Sequence, residues 1–314
     1  MQAFNLVHLT DFHLFDASGA SRRAFFNKRV LSYLSWRLYR GQKNPAGVLS
    51  DVLDFLPTLA WDQVVITGDL THMGLPLECR LARQHLDLIG APDRVFVIPG
   101  NHDAMVPSAS EVFFDLWSDY MCSDENFRPS GDFGPDCYPT VRIRNGIVLI
   151  GLSSARPTRP FSAAGRLGES QCRRLTTILK ATGKKRFFRV VLVHHPLLPG
   201  QVSRRKGLQD AAELRAILGQ YGAELVLHGH THRHSCEMLP GPAELIPVLG
   251  LPSTTAVHPS TIKNACLRVF SIRPEAGGWQ IERHDYLHSD RGRMIPLASP
   301  GGLSVFRIIP NTPI

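Results

Sequence analysis

Five short clusters of metal-binding residue types punctuate this 314-residue chain between positions 11 and 232. They are Asp11-Phe12-His13, Gly68-Asp69, Gly100-Asn101-His102-Asp103, Val193-His194-His195-Pro196 and His228-Gly229-His230-Thr231-His232. Together they offer carboxylates, imidazoles and one carboxamide, with no thiolate. Such a mixed N/O set suits first-row ions such as Mn²⁺, Fe²⁺/³⁺ or Zn²⁺, Mn²⁺ being favoured, and disfavours Mg²⁺ and Ca²⁺, which prefer oxygen alone. About seven ligands are more than one ion takes, whereas two ions sharing a carboxylate would use them all. Two ions side by side activate water at neutral pH and clamp the oxygens of an in-line displacement at phosphorus. The chemistry implied is two-metal phosphoester hydrolysis.

Each cluster follows an apolar, β-branched run: Leu6–Leu9, Val64–Thr67, Val95–Ile98, Val190–Val193 and Leu225–Leu227. Runs of this length and composition ending in polar residues are expected to be buried parallel strands. In open α/β sheets the loops after such strands meet at the carboxyl edge, where ligands bind. Between them, Pro45–Leu56, Leu75–Ile89 and Glu169–Ala181 have the pattern of crossover helices, and Asp210-Ala-Ala-Glu213 has capping-box form for a helix to Gly219. From Val141 strands dominate, over Val141–Leu152, Pro247–Leu249, Ala265–Ile272 and Trp279–His284. His8 and His195 are expected to be structural, as are His228 and His234, which alternate with His230 and His232.

The ordered set Asp-x-His, Gly-Asp, Gly-Asn-His-Asp, strand-end His and Gly-His-x-His resembles the calcineurin-like metallophosphoesterase superfamily, from about residue 5 to 235. The resemblance implies an α/β fold, a four-layer α/β/β/α sandwich of two mixed sheets. It also implies two divalent metal ions. Asp11, His13, Asp69 and His232 would hold one; Asn101, His194 and His230 would hold the other, with Asp69 bridging. His102 is similar to the family's non-ligand active-site histidine, which stabilises phosphoryl oxygens or protonates the leaving group, and Asp103 would orient its imidazole. No ligand position departs from the pattern, which argues against a metal-free scaffold.

Composition is that of a globular protein, at 43% hydrophobic and 20% charged residues. The expected organisation is one domain over residues 1–290 and a loose, Gly/Pro/Ser-rich tail over 291–314. Six cysteines without CxxC spacing suit a reducing cytoplasm, and Cys236 is expected to be a buried thiol. The first strand is expected within a few residues of Met1, so no signal peptide is expected, and no apolar run reaches bilayer-spanning length.

Residues 22–43 form a basic-aromatic insertion after the first cluster, with Arg22, Arg23, Lys28, Arg29, Arg37, Arg40 and Lys43 and no acidic residue. On a helical projection Val30, Leu31, Leu34 and Leu38 gather on one side as a packing face. Arg22, Arg29, Arg37 and Arg40 lie opposite among Phe25, Phe26, Tyr33 and Trp36, a mixture that suits an anionic membrane surface or an anionic, partly apolar ligand. Arg29, Trp36 and Arg40 are therefore substrate candidates, as are Arg204 and Arg205 after the His194 strand, and Arg156.

The expected substrate is a small-molecule phosphoester, with a lean toward a nucleotide–lipid diphosphate. Several members of the superfamily cleave UDP-2,3-diacylglucosamine in lipid A synthesis, releasing UMP. That reading implies peripheral association with the inner face of the cytoplasmic membrane, although relatives with that activity often carry Arg in place of His102. The alternative is a soluble class III cyclic-nucleotide phosphodiesterase, which Gly68-Asp69-Leu70-Thr71 and the His102 motif resemble. A nuclease is a further alternative, but no nucleic-acid module is visible, and the basic residues form a patch rather than a stripe.

Overall fold

The computed structural model describes residues 2–40, 46–128, 131, 133–258, 263–289, 291–297 and 305–308; Lys43 and Pro45 lie outside this set, as do the side chains of Arg22 and Arg40. In chain order the strands are β1 (Phe4–Leu9), β2 (Gln63–Ile66), β3 (Val95–Val97), β4 (Thr140–Arg144), β5 (Ile147–Gly151), β6 (Phe188–Leu192), β7 (Leu225–His228), β8 (Ser235–Pro240), β9 (Leu245–Gly250), β10 (Cys266–Glu275), β11 (Gly278–His288), β12 (Met294–Pro296) and β13 (Val305–Ile308). The α-helices are α1 (Arg29–Ser35), α2 (Ala46–Phe55), α3 (Pro76–Ile89), α4 (Pro107–Met121), α5 (Glu169–Lys184) and α6 (Ala211–Tyr221).

Two mixed sheets result. One runs β12-β11-β10-β1-β2-β3 with β13 also on β11, and the other β4-β5-β6-β7-β9-β8. β1, β2 and β3 are parallel, as are β5, β6, β7 and β9, while the chain's later strands add antiparallel neighbours. Period-two alternation decides the layering. Leu6, Val65, Phe96 and Phe270 of the first sheet meet Leu149, Val190, Leu192 and Leu227 of the second in one core. The alternate residues Val7, Val64, Ile66 and Val97 pack under α2, α3 and α4, through Val52, Leu86, Phe113 and Trp117. Val148, Ile150, Val191 and Val226 pack under α5 and α6, through Leu175, Leu179, Leu214 and Leu218. Helices, sheet, sheet and helices form the four layers.

Several local expectations are corrected. The run Val141–Leu152 is a hairpin, because Asn145 and Gly146 both take positive φ (48° and 80°), the geometry of a tight two-residue turn. Part of the expected tail is bound: β12 and β13 pair with β11, whose length leaves ladder positions for both. Asp210 makes no side-chain cap on α6; its carboxylate accepts from the Leu167 and Gly168 amides, at 2.9 and 2.8 Å by Oδ2, and holds the loop entering α5. Cys236 is exposed on β8, and all six thiols are free. Among the described residues no helix is long and apolar enough to cross a membrane.

Candidate metal centre

The strands that carry the clusters end at one edge of the sandwich, so the five loops meet. Backbone pairing continues beyond the strands. The Asp11 amide donates to Gly68 O, His13 to Asp69 O and Leu14 to Leu70 O, each at 2.8–2.9 Å, which fixes the first two clusters side by side. Across the sandwich, His194 Nδ1 lies 2.7 Å from Thr67 O, and Ser253 and Thr255 hydroxyls donate to Asp11 O and Phe12 O. Glycines admit this crowding. A Cβ at Gly100 would strike the Asp69 carboxylate, and one at Gly229 would strike Thr10 and Asp11. Asp11, His13, Asp69, His230 and His232 all take positive φ, between 49° and 66°. Each costs roughly 1–3 kcal/mol that the surrounding packing must offset, and such residues concentrate at functional sites.

Two ligand sets result. Asp11, His13 and His232 converge: the two imidazole Nε2 atoms are 3.0 Å apart and lie 3.7 and 3.1 Å from Asp11 Oδ1. Asp69, His194 and His230 form the second set, and Asn101 joins it with Oδ1 3.2 Å from His194 Nε2. His194 Nε2 is also 3.3 Å from Asp69 Oδ2. Burial opposes charge on both partners, yet their attraction prevails. Asp69 is held well below the usual carboxylate range, and His194 is raised above the usual imidazole one. His230 is held neutral by burial and by the neighbouring His195 and His194, and its Nε2 has no hydrogen-bond partner. The ionised Asp69 and the neutral, unsatisfied His230 are in the donor state a metal cation requires, and an ion would displace the His194 proton, so the residues fit two divalent ions.

Asp103 corrects an expectation. Its carboxylate accepts from the amides of Asp69 (2.9 Å), Thr71 (2.9 Å) and Gly100 (2.8 Å) and from the Thr71 hydroxyl (2.9 Å). It braces the loops that carry Asp69 and Asn101, while His102 Nδ1 is held by the His72 carbonyl at 2.5 Å. Burial, with Asp69 nearby, pushes Asp103 up to about 7. His72 is the residue the sequence reading missed. Buried three positions beyond Asp69, it stacks on His102 (5.2 Å, 28°), lies 5.8 Å from His13, and meets Ser32 of α1 through Nε2 at 3.3 Å. The tract Asp69-Leu-Thr-His72 was its only signal. His8, His195, His228 and His234 stand outside the two ligand sets; His195, for example, holds Ser154 Oγ and Ala163 O.

Residues 4–234 match the family model of the calcineurin-like phosphoesterases. The chain belongs to that family. Among solved structures, a dimetal phosphatase from Danio rerio is 14% identical with a TM-score of 0.54, over 90% of this chain and 96% of that one. A purple acid phosphatase from yellow lupin (13%, TM-score 0.53) and a 5'-nucleotidase precursor from Thermus thermophilus (13%, 0.51) each match 94% of this chain. It covers only 53% and 55% of those two proteins. At these identities the likeness is one of fold. No curated protein matches the chain.

In this calcineurin-like phosphoesterase the substrate candidates divide. The ligand sets open into a cleft of about 540 Å³ that includes Asp69, Asn101, His102, His230, His232 and Lys206. Arg205 lines an adjoining pocket beside His102. Arg204 lines a different cavity with Pro196 and Arg215, and Arg156 donates to Gln209. Arg29 is buried, its guanidinium donating to Met73 O and Gly74 O, so it anchors α1 rather than reaching substrate. Trp36 stacks on Phe15 (4.4 Å, 14°) and covers His72. The Arg40 side chain lies outside the described residues. The packing face of the insertion therefore differs from the expected one: Phe25, Tyr33 and Trp36 face inward, while Val30, Leu34 and Leu38 (64%) are exposed, as is Phe26 (84%), and of the expected packing residues only Leu31 stays partly buried.

Proposed function

We propose that the protein hydrolyses a phosphodiester or pyrophosphate bond with two divalent ions, one held by Asp11, His13, Asp69 and His232 and the other by Asp69, Asn101, His194 and His230. The two converging ligand sets carry this reading. The ions would supply Lewis-acid activation of water and of the phosphoryl oxygens. The chain supplies the rest. His102, fixed by the His72 carbonyl and stacked on the His72 ring at the cleft wall, would act on a phosphoryl oxygen or the leaving group. Asp103 keeps the loops of Asp69 and Asn101 in register. The left-handed backbone of five ligands sets their directions before any ion arrives.

For substrate, we favour a nucleotide–lipid diphosphate such as UDP-2,3-diacylglucosamine, met at an anionic membrane surface. The exposed residues Phe26, Val30, Leu34 and Leu38 support it: Val30 and Leu34 lie on α1, which meets His72 through Ser32, with Phe26 in the turn before it and Leu38 in the helical segment after it. A water-soluble substrate gives that row no purpose. The deciding assay runs Mn²⁺-loaded protein on UDP-2,3-diacylglucosamine and cyclic AMP in parallel, with Asp69→Asn as blank. UMP release well above the cyclic AMP rate is expected. The reverse ratio would make the protein a cyclic-nucleotide phosphodiesterase, and rates equal to the blank on both would remove the hydrolase reading for these substrates.

A further inference from the structure

Beside the metal cleft lies a second pocket, of about 340 Å³, that shares Asn101, His102, Ala163 and Lys206 with it. Besides the loop after β3, with Asn101, His102 and Met105, three distant segments build it. The insertion gives Lys28 and Leu31, the loop after β5 gives Phe161, and the loop after β6 gives Arg205 and Lys206. The last two segments are zipped together, the Ala163 amide donating to Arg205 O (2.9 Å) and Gly165 to Gly207 O (3.1 Å). Lys28 ties the insertion to them: its Nζ donates to Thr158 Oγ1 (2.7 Å), which donates on to Ser162 O (2.6 Å). Phe161 is 74% exposed at a φ of 64°, an unfavourable backbone for an aromatic residue that the fold maintains at the pocket rim.

Three cations lie on a pocket that includes no carboxylate. Burial of the Lys28 ammonium pushes its pKa down to about 8, so an anion there would find a partly desolvated cation. We propose that this pocket binds the non-scissile phosphoryl group of a diphosphate substrate through Lys28, Arg205 and Lys206, with Leu31, Met105 and Phe161 walling the apolar group that follows. The inference rests on the hydrolase reading and adds direction to it: the scissile phosphorus sits at the ligand sets, and the chain beyond it runs under α1.

The test compares UDP-glucose, a soluble diphosphate ester, with bis-(p-nitrophenyl) phosphate, which carries one charge. Lys28→Met should raise KM for the diphosphate at least about tenfold more than for the diester, the effect of one charge-assisted contact, and Lys28→Arg should restore most of it. Calorimetry gives a readout without turnover: wild type prefers inorganic pyrophosphate to phosphate, and Lys28→Met narrows that preference. Thr158→Val cuts the same tether but keeps the ammonium. If Thr158→Val reproduces the whole Lys28→Met loss, or if Lys28→Met affects both substrates equally, the subsite is overturned. If wild type turns over neither ester, the hydrolase reading fails for these two substrates, and the pyrophosphate preference still decides the pocket.

Discussion

At the level of single residues, the centre depends on a carboxylate that binds no metal. Asp103 takes four donors from the loops of Asp69, Thr71 and Gly100, and leaving those buried donors unsatisfied costs roughly 1–3 kcal/mol each. Asp103→Ala should therefore release Asp69 and Asn101 from register, lower bound Mn²⁺ measured by elemental analysis from two ions toward one or none, and reduce the melting temperature. His102→Ala should retain both ions and lose kcat. An Asp103→Ala protein that kept two ions would return Asp103 to the role of imidazole orienter. The convergence of the seven candidate ligands was legible in sequence because each follows closely on a strand, where chain order fixes position in space. His72 was not, because it follows Asp69 as part of a loop with no periodicity. Its place beside His102 depends on how that loop turns back.

At the level of elements, the insertion has two halves with opposite tasks. Arg29, Tyr33 and Trp36 fasten it to the Met73–Gly74 backbone, to Phe15 and to His72. Phe26, Val30, Leu34 and Leu38 stay outside. Burying large apolar side chains of this kind is worth about 1.5–3 kcal/mol each, enough for reversible docking on lipid. Leu34→Ser with Leu38→Ser should abolish sedimentation with anionic liposomes. Trp36→Ala should instead disturb the site itself, seen as lower kcat on bis-(p-nitrophenyl) phosphate. Cosedimentation of the double variant at the wild-type level would remove the membrane role. Helical periodicity announced two faces here, but nothing in the pattern said which was covered. A buried arginine with carbonyl acceptors and an exposed leucine invert the usual ranking, and only the location of Phe15, Met73 and Gly74 decides it.

At the level of the molecule, the centre exists only while the two sheets hold their relative position, since Asp11 and Asp69 come from one and His194 and His230 from the other. The apolar core between them is non-directional and tolerates sliding, whereas a directional hydrogen bond crossing from one sheet to the other, held by a buried ion pair within the first, does not. Arg268 on β10 donates to both carboxylate oxygens of Asp285 on β11 (2.6 and 2.9 Å) and reaches Gly250 O at the end of β9 (3.3 Å), crossing from one sheet to the other. The pair is nearly inaccessible to water, and it lies behind the loop of His232 through His234. Removing one partner leaves an uncompensated buried charge, typically a loss of about 3–5 kcal/mol, whereas apolar replacement of both is often neutral. Asp285→Asn should thus lower the melting temperature by on the order of 10 °C. Arg268→Met with Asp285→Leu should recover most of that loss. If the pair acts as a pin between sheets, the double variant will be stable yet bind its second Mn²⁺ more weakly in a metal titration, because the two ligand sets are then free to shift. Unchanged affinity for both ions in the stable double variant would show that apolar packing alone sets the distance between them.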